Sequence, residues 1–216
     1  MLVSWILSGI LLIFAYLWGS IPTGYLAGRY LQGIDIRQHG SGSTGMTNVL
    51  RTLGKKAAIA TLAIDLSKGV MAVAQIDLFY NLISADLIPV EWKTYLIILA
   101  AIGAILGHSK SIWIGFTGGK SVAASLGAFL ALDFRIALLA LGIFGLCLAI
   151  SRIVSLSSIS AAIGINIGMF IFDKPFPYII FGLVASAYVI YLHRSNIKRL
   201  VAGVEPKIGE KLQENT

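Results

Sequence analysis

Seven stretches of this chain are so persistently apolar that water is an unlikely solvent for them as a set. They lie near 3–27, 57–80, 94–107, 121–132, 136–150, 154–172 and 176–193, and several approach the roughly 20 apolar residues that carry a helix across a bilayer. Hydrocarbon offers no partner to a backbone N–H or C=O, so such runs predict helices, and the chain an all-α polytopic transmembrane helical bundle of about seven spans. Of 216 residues, 57% are hydrophobic and only 12% charged, more apolar side chain than one soluble core can hide. That length suits a single integral membrane domain, 1–216, with no separate soluble one. The run 121–132 is too short to cross ~30 Å of hydrocarbon unaided. Asp133 and Arg135 part it from the next run, which fits a tight hairpin or a tilted, partly buried segment.

The charges sort by side. One set of connections carries Arg29, Arg37, Arg51, Lys55, Lys56, Lys110, Lys120, Arg152, Arg194, Lys198, Arg199, Lys207 and Lys211; the other carries Lys93, Arg135 and Lys174 beside Asp86, Glu91, Asp133 and Asp173. With the positive-inside rule and an odd number of spans, the N-terminus is expected outside and the C-terminus in the cytoplasm. The first run lacks a basic leader and a small-residue cleavage site, and reads as a retained span. The net charge of +7 is strung through short connections and builds no basic domain with aromatic platforms, so no nucleic-acid partner is expected. Cys147 stands alone in an apolar run, which excludes a disulfide framework and a thiol metal site.

The basic connections are also where glycine and hydroxyl residues crowd. The first reads Gly40-Ser41-Gly42-Ser43-Thr44-Gly45-Met46-Thr47-Asn48-Val49-Leu50-Arg51; its glycines admit positive φ and predict an anion-binding nest of N–H groups, with Ser41, Thr47 and Asn48 as side-chain donors and Arg51 as a fixed charge. The second runs from Gly107-His108 to Gly118-Gly119-Lys120-Ser121, where free amides at a helix start and Lys120 again suit an anion. It is not a Walker A loop, since Ile114 stands where that motif needs glycine. His108 is compatible with a general base, a donor to a phosphoryl oxygen, or an interfacial histidine. Ser155 and Ser158 lie just after Arg152, where interhelical contacts are an equally good reading. His193 and Asn196 recur on one side of a helix leaving the membrane. Asp65 and Lys68, one turn apart inside the second run, suit a structural ion pair, with support for the site above as the alternative. One basic site for a phosphorylated substrate accounts for all four connections together. A small anion transporter would show inverted repeats or helices broken near the midplane instead, and a non-catalytic lipid scaffold would leave the histidines and hydroxyls without a task.

In these residues the chain resembles the PlsY-type glycerol-3-phosphate acyltransferases of bacteria, which use acyl-phosphate as donor. The likeness runs through Gly19-Ser20-Ile21-Pro22, Tyr25-Leu26, the Gly40 to Arg51 loop, Asp65 with Lys68-Gly69, Gly107-His108, Gly118-Gly119-Lys120, Val154-Ser155-Leu156 with Ser158, and His193, Asn196-Ile197, Arg199-Leu200, Gly203 and Glu205. It departs where the family reads Gly-Ser-Gly-Asn-Pro-Gly-Ala-Thr-Asn, since Ser43, Thr44 and Met46 replace Asn, Pro and Ala. Ser111 stands for a proline, and Thr117 and Ser121 flank Gly-Gly-Lys in place of Lys and Gly. These changes bear on loop stiffness and substrate affinity.

The resemblance implies transfer of a fatty acyl group from acyl-phosphate to the 1-hydroxyl of glycerol 3-phosphate, giving lysophosphatidic acid and phosphate, the first step of phospholipid synthesis. It implies a multi-pass protein of the bacterial plasma (inner) membrane with its site facing the cytoplasm, needing no cofactor and no metal, with membrane lipid around it and an acyl-phosphate-producing enzyme as functional neighbour. Catalysis falls to Ser41, Arg51, Lys120, His193 and Asn196. Phosphate and substrate binding fall to Gly40, Gly42, Gly45, Thr47, Asn48, His108, Gly118, Gly119, Ser155 and Ser158. A substrate phosphate oxygen, His108 and His193 all remain candidates for proton acceptor. The His-x-x-x-x-Asp signature of acyl-CoA-dependent glycerolipid acyltransferases is absent, because Thr44, Trp113 and Lys198 occupy its test positions.

Overall fold

The computed structural model describes residues 1–82 and 87–210; Asp86 and Lys211 of the charge pattern lie outside them. Ten α-helices follow one another: α1 Leu2–Gly19, α2 Thr23–Gln32, α3 Met46–Leu53, α4 Lys55–Leu82, α5 Lys93–Ser109, α6 Val122–Leu132, α7 Phe134–Ser151, α8 Val154–Ile171, α9 Phe176–Leu192 and α10 Arg194–Val201. The helices α1, α4, α7 and α8, and α5 with the short turn before it, are each long and apolar enough to cross a membrane. The helix α9 reaches that length only together with α10, from which it bends by 62°. Among the described residues five helices thus meet the span criterion, six with the bent pair, and α6 is the shortfall against the expected seven.

The first run is not one helix. The expected span 3–27 stops at Gly19 and resumes at Thr23, because Pro22 donates no hydrogen bond and pushes Ile21 out of the helical region. Two carbonyls left by the break are satisfied from elsewhere in the bundle: Ser111 Oγ donates to Ser20 O at 2.5 Å, and Lys68 Nζ to Ile21 O at 2.5 Å. Lys68 is held in turn by Asp65 at 2.6 Å, both side chains almost wholly buried. The pair therefore has the structural task its spacing suggested, since an unpaired charge at this depth is costly.

The short run explains why the bundle is hollow at one end. Helices α6 and α7 both start or finish at Asp133, whose side chain caps α7 and pairs with Arg135 and with Lys174 in the α8–α9 turn. From that shared end α6 extends 11 residues and α7 extends 18, so α6 stops about 10 Å lower. The connection from α5 must descend into the resulting recess. Small residues let α6 seat deeply: a Cβ at Gly69 of α4 would strike the Ala124 carbonyl, and one at Gly127 of α6 the Leu66 carbonyl. Such close backbone approach replaces the hydrophobic driving force that lipid does not provide. Below, Phe129 and Phe181 meet with ring centroids 5.1 Å apart.

Gly127→Leu is expected to destabilise the fold by about 1–3 kcal/mol through overpacking. Gly142→Leu, where a Cβ meets nothing within 4 Å, should leave thermal unfolding in detergent unchanged.

Candidate active site

The recess holds a cavity of about 320 Å³ where the four glycine- and hydroxyl-bearing connections converge. Its polar wall includes Ser41, Thr47, Arg51, Lys120, His193 and Asn196, and its apolar wall includes Leu62, Leu66, Leu126, Leu141 and Phe144. Gly45, Asn48, His108, Ser155 and Ser158 complete the expected residues that reach it. Gly40, Gly42, Gly118 and Gly119 stand behind this lining. They are packing and turn residues: a Cβ at Gly119 would collide with the His108 ring, and one at Gly118 with the His108 carbonyl.

The first loop is folded by Asn48 rather than left open as a nest. The Asn48 amide donates to the carbonyls of Ile36, His39 and Ser43 at 3.2, 3.0 and 2.9 Å, and its oxygen accepts from Ser41 N at 2.8 Å. The amides of Gly42 and Gly45 are also used, on His39 O and Ser43 Oγ. Asn48 therefore has no donor left for a ligand, although it lines the cavity. What remains for an anion is the start of α3, where Met46 and Thr47 have no intrahelical acceptor, the Ser41 hydroxyl, and Arg51. Among the described residues Arg51 makes no side-chain hydrogen bond or ion pair. Burial pulls its pKa down, against the field of Glu205.

Arg37 braces this loop to the next. It pairs with Asp35 at 2.7 Å and donates to Ile114 O and Thr117 Oγ1 at 3.0 and 3.2 Å. The same guanidinium holds the Asp35 carboxyl down at about 2. The second loop then turns on Gly119 N, which donates to His108 O at 3.1 Å. His108 Nδ1 lies 3.6 Å from Asp65 Oδ1, so this ring props the Gly-Gly-Lys turn from below.

Lys120 enters a chain of hydrogen bonds. Its Nζ donates to Asn196 Oδ1 at 2.6 Å, and Asn196 Nδ2 donates to Glu205 Oε1 at 2.6 Å. Ser155 Oγ also donates to Oε1, at 2.7 Å, while Arg199 Nε holds Oε2 at 2.6 Å. Burial pushes the Lys120 pKa down to about 8, and the Glu205 charge opposes that fall. Glu205 stays ionised because Asn196, Ser155 and Arg199 bond its charged form more strongly than burial disfavours it. His193 points Nδ1–H at Val189 O, 2.8 Å away, leaving Nε2 as its acceptor. Ser158 Oγ donates back to Val154 O at 2.9 Å and keeps acceptor capacity.

Sequence reasoning placed Glu205 in the family pattern but not in the site. The available signal was an acid just past a basic helix, with Gly203 between to reverse the chain. Ser43, Met46 and Ser121 also line the cavity unforeseen, and Asp65 reaches it as well as pairing with Lys68.

The arrangement matches known proteins over almost all its length. A family model described as glycerol-3-phosphate acyltransferase matches residues 9–203. Glycerol-3-phosphate acyltransferases of Crocosphaera subtropica and Rippkaea orientalis are 53% and 55% identical to the chain over 211 residues, 98% of it in each case and 98% and 97% of the relatives. The crystal structure of PlsY, an integral membrane glycerol 3-phosphate acyltransferase, in its glycerol 3-phosphate form superposes with a TM-score of 0.83 at 33% identity, covering 94% of this chain and 96% of that one. The lysophosphatidic acid form of PlsY gives 0.81 at the same identity, with 94% and 95% covered.

An anion in the cavity should sense the Lys120 charge, which is present below a pKa of about 8 and lost above it. Sulfate affinity, measured by calorimetry in detergent, is expected to fall as pH rises through this range. Glu205→Gln removes the carboxylate that favours the ammonium and should move the fall to lower pH; a flat profile to pH 10 contradicts the assignment.

Proposed function

Because the chain belongs to the glycerol-3-phosphate acyltransferase family, we propose that it moves a fatty acyl group from acyl-phosphate to the 1-hydroxyl of glycerol 3-phosphate, releasing lysophosphatidic acid and phosphate. The observation that carries this reading is a single cavity in which Arg51 and Lys120 face an apolar wall of Leu62, Leu66, Leu126, Leu141 and Phe144. A phosphate ester and a donor with a fatty chain need that pairing. The PlsY structures in glycerol 3-phosphate and lysophosphatidic acid forms support the same acceptor and product.

In this mechanism the acyl chain lies along the apolar wall and its phosphate between Arg51, Lys120 and the amides opening α3 and α6. The acceptor hydroxyl is oriented by His193 Nε2, which the Val189 bond fixes as an acceptor. Ser41 and the second Nδ2–H of Asn196 position the two phosphates, while Ser155 and Ser158, whose hydroxyl protons lie on Glu205 and Val154, accept from a substrate hydroxyl. The hydroxyl oxygen attacks the acyl carbon, the acyl–oxygen bond breaks, and the departing phosphate takes the hydroxyl proton as its charge grows. Proximity and the fixed cations supply the acceleration. Phosphate is already a good leaving group, so no step calls for a metal or cofactor.

The basic connections support a cytoplasmic site, an outside N-terminus and a cytoplasmic C-terminus in a bacterial plasma membrane, the whole chain acting as one domain. A neighbouring enzyme that makes acyl-phosphate would supply the donor.

Purified protein given palmitoyl-phosphate and glycerol 3-phosphate should form lysophosphatidic acid without acyl-CoA or metal. Arg51→Ala and Lys120→Ala should each lower kcat by about 10²–10³ with thermal stability kept. Turnover that requires acyl-CoA rejects the donor.

A further inference from the structure

The turn that presents Gly118-Gly119-Lys120 is preceded by a small hairpin with its apolar side chains facing outward. Ser111 and Thr117 pair as an antiparallel bridge, closed by Ser111 N to Thr117 O at 3.1 Å and Phe116 N to Ser111 O at 2.8 Å. Between them Ile112, Trp113 and Phe116 are 45%, 60% and 56% exposed, while Ile114 alone turns inward. Phe116 holds φ +55, an outlier for a bulky residue, and that conformation keeps its ring on the outer side. Large apolar groups on a loop in water are costly, and no other described element covers these three.

The depth of the loop resolves the cost. Tyr16 Oη donates to Lys110 O at 2.8 Å, and Ser111 Oγ bonds Ser20 O. Tyr16 and Ser20 belong to the last turn and cap of α1, an 18-residue apolar helix, so the base of the hairpin is level with the edge of the hydrocarbon. Tryptophan and phenylalanine beside the exposed Lys110 are the composition that settles where headgroups meet acyl chains. We infer that residues 111–117 are an interfacial anchor that inserts Ile112, Trp113 and Phe116 into the headgroup–acyl boundary of the leaflet on the cavity side. The anchor adjoins the Gly-Gly-Lys turn without a linker, so it sets the depth at which Lys120 meets a lipid-borne ligand. The occupant of this patch is the bilayer itself, not a soluble protein or a second copy.

Spin labels at Trp113→Cys and Phe116→Cys in a Cys147→Ser background, reconstituted in phosphatidylethanolamine and phosphatidylglycerol vesicles, test the depth. Power saturation should place both labels deeper than one at Gln38→Cys and shallower than one at Ile163→Cys on α8. Access to a water-soluble nickel chelate equal to that at Gln38 overturns the inference, and so does burial from both oxygen and nickel, which would mean a protein partner. The paired change Trp113→Ser and Phe116→Ser should raise KM for vesicle-borne acyl-phosphate several-fold without altering KM for glycerol 3-phosphate. That kinetic arm rests on the proposed reaction, whereas the depth measurement does not: a wild-type protein inactive with acyl-phosphate would sink the reaction and leave the anchor to the labels.

Discussion

Helix α6 is shorter than its neighbours, and a membrane bundle does not tolerate a missing turn unless something polar is held there on purpose. The recess sits where lipid would otherwise meet backbone, so the chain that descends into it must satisfy its own amides and carbonyls. Gly119 N bonds His108 O, and Ser121 Oγ bonds Ile105 O at 2.7 Å, which seals the descending loop against α5. What is left to spare at its tip, the first amides of α6 and the N–H groups of Lys120 that Asn196 does not use, lines the cavity. The same constraint that forbids an open loop in lipid therefore concentrates donors in the cavity.

Charge balance in that cavity is unequal by construction. Glu205 gives Oε1 to Asn196 and Ser155 and Oε2 to Arg199, so its capacity is spent on the protein. Lys120 is held by the uncharged Asn196 oxygen, and Arg51 has no side-chain partner among the described residues. Two cations thus keep their charge available to an incoming anion, while the carboxylate nearby fixes geometry and lessens the cost of burying them. Replacing Asn196 by an acid would pair Lys120 and remove that asymmetry.

The helices were legible because lipid exposure is written in composition: six of the runs correspond to α4 to α9 within a few residues, and the first to α1 with the start of α2. The cations were legible for a related reason, since Arg51, Lys120 and Arg199 are scarce in such a chain and fall at run boundaries. The break at Pro22 was hidden by the apolar residues on both sides, although proline states the reason plainly. Asn48 looked like a ligand because it neighbours glycines and a hydroxyl; only the paths of Ile36, His39 and Ser43 around it show that its amide is already committed. Gly40, Gly118 and Gly119 likewise have a packing role that the sequence does not show. A glycine needed for close approach to a ligand and one needed for close approach to His108 or Asn48 carry the same letter, and distinguishing them requires the neighbour.

The departures from the family pattern make the same point in the other direction. Ser111, in the place of a proline, gives up the stiffness of a ring, yet its hydroxyl ties the second loop to Ser20 O and so couples it to the break in α1. Ser121 replaces a glycine at φ +58, a conformation that costs a non-glycine residue about 1–2 kcal/mol, and its buried hydroxyl bond to Ile105 O offsets that strain. Ser43 accepts from Gly45 N in a loop that has lost its proline. At Ser111 and Ser121 stiffness supplied by a ring, or freedom supplied by a missing side chain, is exchanged for one hydrogen bond made in a place that water reaches poorly. Such a bond holds the loop only while its acceptor stays put, so the shape of the cavity depends on α1 and α5 as much as on the loops that line it.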